Sequence, residues 1–300
     1  MPEVPSRALI NAGFSDIERA KNFLQAEELS KIDPNLVVSK MAHAPDPDQA
    51  LLLALRLADR HPKVIDIFMA PDSCQGLVRL LGSSSALGEF LIRCPEALDI
   101  VRKAPSGEFV QVSAEQLVQD LLASIDATQS DGGHWVSAYT GAEARQRLRT
   151  AYRKALLSLA HRDLGSTQPQ RILPKVAAEL ADMAGAALEG ALAIARAEAA
   201  EQYDAEDVDR VKITVIGMGK CGARELNYIS DVDVIYVHDS APSIDEDLAA
   251  AIATVICGNT ARALMVPGPE PMLWEVDANL RPEGKDGALT RTSFTFVDSQ

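Results

Sequence analysis

The 300-residue sequence predicts an α+β fold, with a helical N-terminal region over residues 1–200 and a smaller, sheet-containing domain over 201–300. Three observations carry this prediction. Helix caps and apolar stripes at helical spacing recur through the first two hundred residues. A run of carboxylates without Lys or Arg (Glu198, Glu201, Asp204, Glu206, Asp207, Asp209) then marks a solvated helix end and linker. After it, residues 211–239 read as strand, glycine turn, short helix, strand.

Ser15-Asp16-Ile17-Glu18 is a capping box, Asp46-Pro47 an N-cap with a first-turn proline, and Ser113-Ala114-Glu115-Gln116 a second box. Apolar-rich stretches over 51–58 and 77–92 are punctuated by Pro71, Gly82 and Pro95. Residues 129–141 break the helical pattern and predict an exposed connection. Beyond it, Leu148, Tyr152, Ala155, Leu156 and Leu159 share a helix face, and Pro174 opens a longer helix with the stripe Val176, Leu180, Met183, Ala187, Ala191, Ile194. Both stripes read as core. Asp245, Glu246 and Asp247 look like the acidic first turn of a helix over 248–264 that covers the sheet.

Composition narrows the function. A formal charge of −14 argues against a nucleic-acid substrate, because phosphate backbones are met by Lys and Arg patches. Cys74, Cys94, Cys221 and Cys257 form no C-x-x-C pair, so neither zinc ligation nor a disulfide framework is indicated. The start of the chain lacks a secretory pattern, and no uninterrupted apolar run reaches about 18 residues. The expectation is a cytoplasmic protein that does not engage a membrane.

The glycine turn is the informative stretch. Gly217-Met218-Gly219-Lys220-Cys221-Gly222 matches G-x-G-x-x-G, yet eight residues separate Gly222 from Asp231, too few for the crossover helix of a dinucleotide fold. Cys221 stands where a P-loop needs a hydroxyl. A strand places side chains i and i+2 on one face, so Asp231 and Asp233 project together. Two carboxylates about 4 Å apart repel by roughly 4 kcal/mol at an effective dielectric near 20, so a close pair calls for a cation. Oxygen-only ligation suits magnesium, with manganese the alternative.

Leu273-Trp274-Glu275-Val276-Asp277 alternates in the same way and offers Asp277 as a third carboxylate, with Glu275 either a ligand or a bystander. Three carboxylates on two strands can hold two ions for in-line phosphoryl displacement. A pair of turn-capping aspartates is the plain alternative, but it leaves the glycine turn and Asp277 as coincidences. Gly217 and Gly219 would let a nucleotide phosphate approach the backbone. Lys220 is either a phosphate contact or a turn residue. None of the five histidines has ligand spacing, and only His238 falls near the site.

Taken together, Gly-Met-Gly-Lys-x-Gly-x-x-Glu-Leu-Asn-Tyr-x-Ser-Asp-x-Asp and, later, Val-Asp-x-x-Leu-Arg-Pro resemble the bifunctional glutamine synthetase adenylyltransferase/adenylyl-removing enzymes, within the DNA polymerase β-like nucleotidyltransferase superfamily. The match is dense between Val211 and Pro282. Its wording Ala223-Arg224-Glu225-Leu226-Asn227-Tyr228 is similar to the first of that family's two catalytic domains, the one that removes AMP.

The resemblance implies a polymerase β-like domain with a small mixed sheet. Asp231, Asp233 and Asp277 would be catalytic metal ligands, with Gly217, Gly219, Lys220, Ser230 and Arg281 at the nucleotide. The implied reaction is phosphorolysis of adenylyl-tyrosine on glutamine synthetase, with phosphate consumed and ADP released. ATP-dependent adenylylation is the first alternative, and a non-catalytic protein-binding fragment the second. Implied partners are glutamine synthetase, ATP or ADP, phosphate and a PII-type signalling protein. Family members are far longer than this chain, so the C-terminal end of the catalytic domain is expected to be truncated.

Overall fold

A computed structural model describes residues 4–69, 73–102, 108–280, 284 and 287–292. Pro71 and Arg281 lie outside the described residues. The chain forms two compact units: Met1–Val110 with Leu156–Ile172, and Gln111–Ala155 with Leu173–Gln300. This division differs from the boundary expected at residue 200.

The first unit is helical: α1 (Ser6–Asn11), α2 (Ile17–Leu24), α3 (Pro34–Met41), α4 (Pro47–Arg60), α5 (Val64–Met69), α6 (Ser73–Ser83), α7 (Ser85–Arg93) and α8 (Leu98–Val101). Aspartate caps start several of them. Asp46 accepts the Gln49 amide at 2.9 Å ahead of Pro47, and Asp33 accepts the Asn35 amide at 2.9 Å ahead of Pro34. At α2 the cap is Asp16, which accepts from Arg19, rather than Ser15, whose own amide donates to Asp48. Leu9, Met41, Leu51, Leu57, Leu77, Phe90 and Leu91 fill the core with Leu157 and Ala160.

The second unit begins with α9 (Ala114–Ser124), whose N-cap Ser113 accepts the Gln116 amide as the second box predicts. Residues 129–141, expected to be a plain connection, contain part of a hairpin in which β1 (Thr128–Gln129) pairs with β2 (Trp135–Val136). Two long helices follow, α10 (Gly141–Leu164) and α11 (Pro169–Ala199), of which residues 156–164 and 169–172 belong to the first unit; α11 starts ahead of Pro174, which lies inside it. Short α12 (Ala205–Asp209), capped by Asp204, ends the acidic run.

The mixed sheet then forms from β3 (Val211–Gly217), β4 (Val232–Ser240), β5 (Val276–Asp277) and β6 (Thr290–Thr292). Strand β3 runs antiparallel to β4, while β5 and β6 both run parallel to β4. Helix α14 (Glu246–Met265), capped by Asp245, lies on this sheet. Among the described residues α14 is long and apolar enough to cross a membrane by length and composition. Its Ala249, Ile252, Ala253 and Ile256 are instead buried with Val211, Ile213 and Val215 of β3 and Leu192, Ala195 and Ala199 of α11. Period-2 alternation puts Asp233 on the face of β4 opposite Tyr236 and His238, whose register partners Val215 and Ile213 face α14.

Candidate active site

The turn after β3 is built onto β4. The Met218 amide donates to the Asp233 carbonyl at 2.8 Å, and one turn of helix, α13 (Gly219–Gly222), closes with the Gly222 amide on the Met218 carbonyl at 3.0 Å. Gly219 has φ +50, and a Cβ there would lie 2.7 Å from Asp233 Oδ2. A Cβ on Gly222 would lie 2.3 Å from the Gly217 carbonyl oxygen, whereas one on Gly217 would meet nothing nearer than 3.4 Å. Two of the three glycines are therefore required by packing within the protein.

Gly219 and Lys220 are exposed. Burial raises the Cys221 thiol pKa, and the nearby Asp233 and Asp182 carboxylates raise it further, so this sulfur stays protonated at neutral pH.

The loop from α13 to β4 is anchored at three points. Arg224, at φ +59, pairs with Asp182 of α11 at 2.7 Å; the Glu225 amide donates to the Lys220 carbonyl at 2.8 Å; and Leu226 is buried. This loop delivers half-buried Ser230 and exposed Asp231 to the head of β4. Ser230 Oγ stands 3.5 Å from Asp231 Oδ1, too far for a firm hydrogen bond.

The carboxylates meet where β4 and β5 pair. Asp233 and Asp277 are register partners on adjacent parallel strands, which puts both side chains on one face, neighbours across a strand spacing of about 4.8 Å. Both are half-buried. Among the described residues, no Lys, Arg or His forms an ion pair with Asp231, Asp233 or Asp277, and no three His, Cys, Asp or Glu side chains converge into a cage for an ion. Asp277 Oδ1 accepts the Asn279 amide at 2.8 Å. Exposed Glu275 contributes its carbonyl, which accepts the Val232 amide at 2.9 Å.

The expected strand over 273–277 shrinks to Val276–Asp277: the Leu273 amide turns to the Leu264 carbonyl of α14 at 3.1 Å, the Trp274 indole N–H goes to Tyr152 of α10, and Glu275 reaches β4 through its carbonyl. His238 does not join the site: it is buried on the other face, with Nδ1 3.1 Å from Thr290 Oγ1.

Arg149 and Arg153 emerge only from the structure, beside the stripe residue Tyr152. Arg149, fully buried on α10, donates to the Ala263 carbonyl at 2.8 and 3.0 Å and to the Glu270 carbonyl at 3.1 Å. Burial, with Arg145 and Arg153 nearby, lowers its pKa to about 10, and it remains charged at neutral pH. Arg153 pairs with Glu270 and donates to the Met272 carbonyl at 2.8 Å. Tyr152 Oη accepts the Trp274 indole N–H at 3.2 Å, and burial lifts its own pKa to about 12. The signal was present, since Arg149 and Arg153 fall one residue from stripe positions Leu148 and Tyr152.

A glycine turn packed onto an aspartate strand, with a second aspartate in register beside it on a small mixed sheet, defines an α+β domain of nucleotidyltransferase type. The family model described as glutamate-ammonia ligase adenylyltransferase matches residues 74–300, and the chain belongs to that family. Similar curated proteins are the bifunctional glutamine synthetase adenylyltransferase/adenylyl-removing enzymes of Leifsonia xyli (40% identical over 295 residues), Cutibacterium acnes (38% over 290) and Streptomyces avermitilis (37% over 294). Each match covers 95% of this chain but only 28, 28 and 26% of the respective relative, so the chain spans about a quarter of their length.

Proposed function

We propose that the second unit carries a magnesium-dependent nucleotidyltransferase site that removes AMP from an adenylylated tyrosine of glutamine synthetase by phosphorolysis. The observation that carries this reading is the register pairing of Asp233 with Asp277 beside Gly219. Magnesium is ordinarily held by one or two carboxylates together with substrate phosphates and water rather than by an all-protein cage. An Asp233/Asp277 pair that forms no ion pair with a Lys, Arg or His among the described residues fits that mode, with Asp231 two positions before Asp233 at the head of β4. Manganese is the alternative ion. The AMP-removing direction is supported by the Arg224-Glu225-Leu226-Asn227-Tyr228 wording.

In this reading one P–O bond forms between an oxygen of hydrogen phosphate and the AMP phosphorus, while the bond from that phosphorus to the tyrosyl oxygen breaks. The proton of hydrogen phosphate ends on the tyrosine, and ADP leaves. Asp231, Asp233 and Asp277 hold the divalent ions, which when bound supply charge neutralisation for in-line transfer. The exposed backbone at Gly219 admits the nucleotide phosphates beside half-buried Gly217. The Ser230 hydroxyl donates to a phosphate oxygen, and the Lys220 ammonium offsets its charge. Arg281 is assigned to the nucleotide by its motif alone. Phosphate, ADP or ATP, and glutamine synthetase are the proposed partners, with a PII-type protein as regulator and the cytoplasm as the setting.

The test is ADP formation when the chain is mixed with adenylylated glutamine synthetase, phosphate and magnesium, beside the Asp231→Asn/Asp233→Asn variant. ADP from the unaltered chain alone is the expected result. AMP transfer from ATP to unmodified synthetase, without ADP formation from the adenylylated form, would reverse the proposed direction.

A further inference from the structure

Strand β5 is only two residues long, with two register pairs and the bond from the Val232 amide to the Glu275 carbonyl as its ladder. Strands usually run about 5–6 residues, so this ladder alone gives Asp277 a weak hold. The residues leading into it are fixed from another direction. Glu270, Pro271 and Met272 each offer a carbonyl to Arg149 or Arg153, and Trp274 donates its indole N–H to Tyr152; Arg149 also holds the Ala263 carbonyl of α14, whose Leu264 carbonyl and Met265 sulfur accept the Leu273 and Val276 amides. Positions 149, 152 and 153 share one face of α10 by the i, i+3, i+4 rule.

We propose that Arg149, Tyr152 and Arg153 on α10 are positioning residues that set Asp277 beside Asp233. The proposal rests on the nucleotidyltransferase reading of the site. None of the three is bonded to the carboxylates; they act through the backbone of residues 270–272 and the Trp274 side chain. Charged donors to carbonyls are the stronger class of hydrogen bond, and the buried Arg149 side chain is poorly placed to exchange them for water.

The test compares Arg153→Gln, Tyr152→Phe and Arg153→Lys with the unaltered chain and with Asp277→Asn, using two readouts. Amide hydrogen exchange at Val232 reports the β4–β5 pairing directly, and electron paramagnetic resonance of free Mn2+ reports binding to the carboxylates. Arg153→Gln is expected to speed exchange at Val232 while the β3–β4 amides stay protected, and to weaken Mn2+ binding by about tenfold. Tyr152→Phe should act in the same direction, and Arg153→Lys, which can still pair with Glu270, should restore most of the binding.

Unchanged Val232 exchange and unchanged Mn2+ affinity in Arg153→Gln would overturn the proposal, provided Asp277→Asn binds Mn2+ more weakly. Equal loss of protection along β3–β4 would overturn it as well, by revealing a general structural role. Should Asp277→Asn bind Mn2+ as the unaltered chain does, the reading of the site falls, while the exchange at Val232 still decides whether α10 holds β5.

Discussion

A methyl group on Gly219 would sit 2.7 Å from Asp233 Oδ2 with the backbone at φ +50, so Gly219→Ala carries two penalties. The left-handed backbone costs about 1–2 kcal/mol for a residue with a Cβ, and the carboxylate must turn away. Urea unfolding should show destabilisation of about that size, accompanied by weaker Mn2+ binding. Gly217→Ala should leave both nearly unchanged, because its nearest neighbour would be Cys221 Sγ at 3.4 Å. The glycine spacing was legible in the sequence, but its physical meaning was only partly so. Spacing is consistent with a phosphate approaching the backbone, yet cannot reveal that Gly219 abuts a side chain fourteen positions later. Arg224, also at positive φ, pairs with Asp182, a tertiary partner that no local pattern identifies.

At the scale of elements, the β1–β2 hairpin is pinned by Asp209 at the end of α12, which accepts from the Ser130 hydroxyl and, at 2.7 Å, from the Gly132 amide. Burial would raise that carboxyl's pKa, but these donors, with His134 and Arg196 nearby, outweigh it and hold the value below the ordinary one. A carboxyl lowered in the folded state adds stability above its unfolded pKa near 3.9 and loses it as the pH falls through the folded value. Trp135 fluorescence should therefore change below about pH 4 in the unaltered chain, and Asp209→Asn should show the loosened hairpin already at pH 7. Residues 129–141 read as a mere connection because each strand is only two residues long, below what alternation can display. Helix α10 presents the converse case. Arg149→Met should destabilise the second unit by about 3 kcal/mol in urea unfolding, because charge-assisted bonds worth roughly 1.5–3 kcal/mol are lost and two buried carbonyls are left unpaired.

Across the chain as a whole, the acidic run at 198–209 marks where the mixed sheet begins, yet it does not divide the compact units, because Leu192, Ala195 and Ala199 of α11 pack into the sheet core. Composition registers a change of element type; it cannot register which helices share a core. The same global view yields a thermodynamic signature for the proposed metal site. Two carboxylates about 5 Å apart repel by roughly 3 kcal/mol at an effective dielectric near 20, which half-exposure reduces to about 1 kcal/mol. In EDTA, Asp277→Asn should therefore melt slightly higher than the unaltered chain, since the neutral amide removes the repulsion with Asp233. With magnesium at about 100 times its dissociation constant, binding to the folded state adds about 2.7 kcal/mol, which for a unit of the second one's size corresponds to roughly 5–10 °C. The unaltered chain should rise by that amount and overtake the variant, which gains little. A crossing of the two melting temperatures between EDTA and magnesium is what a cation shared by Asp233 and Asp277 requires. Parallel shifts in both proteins would place magnesium elsewhere and remove the metal from the proposed chemistry.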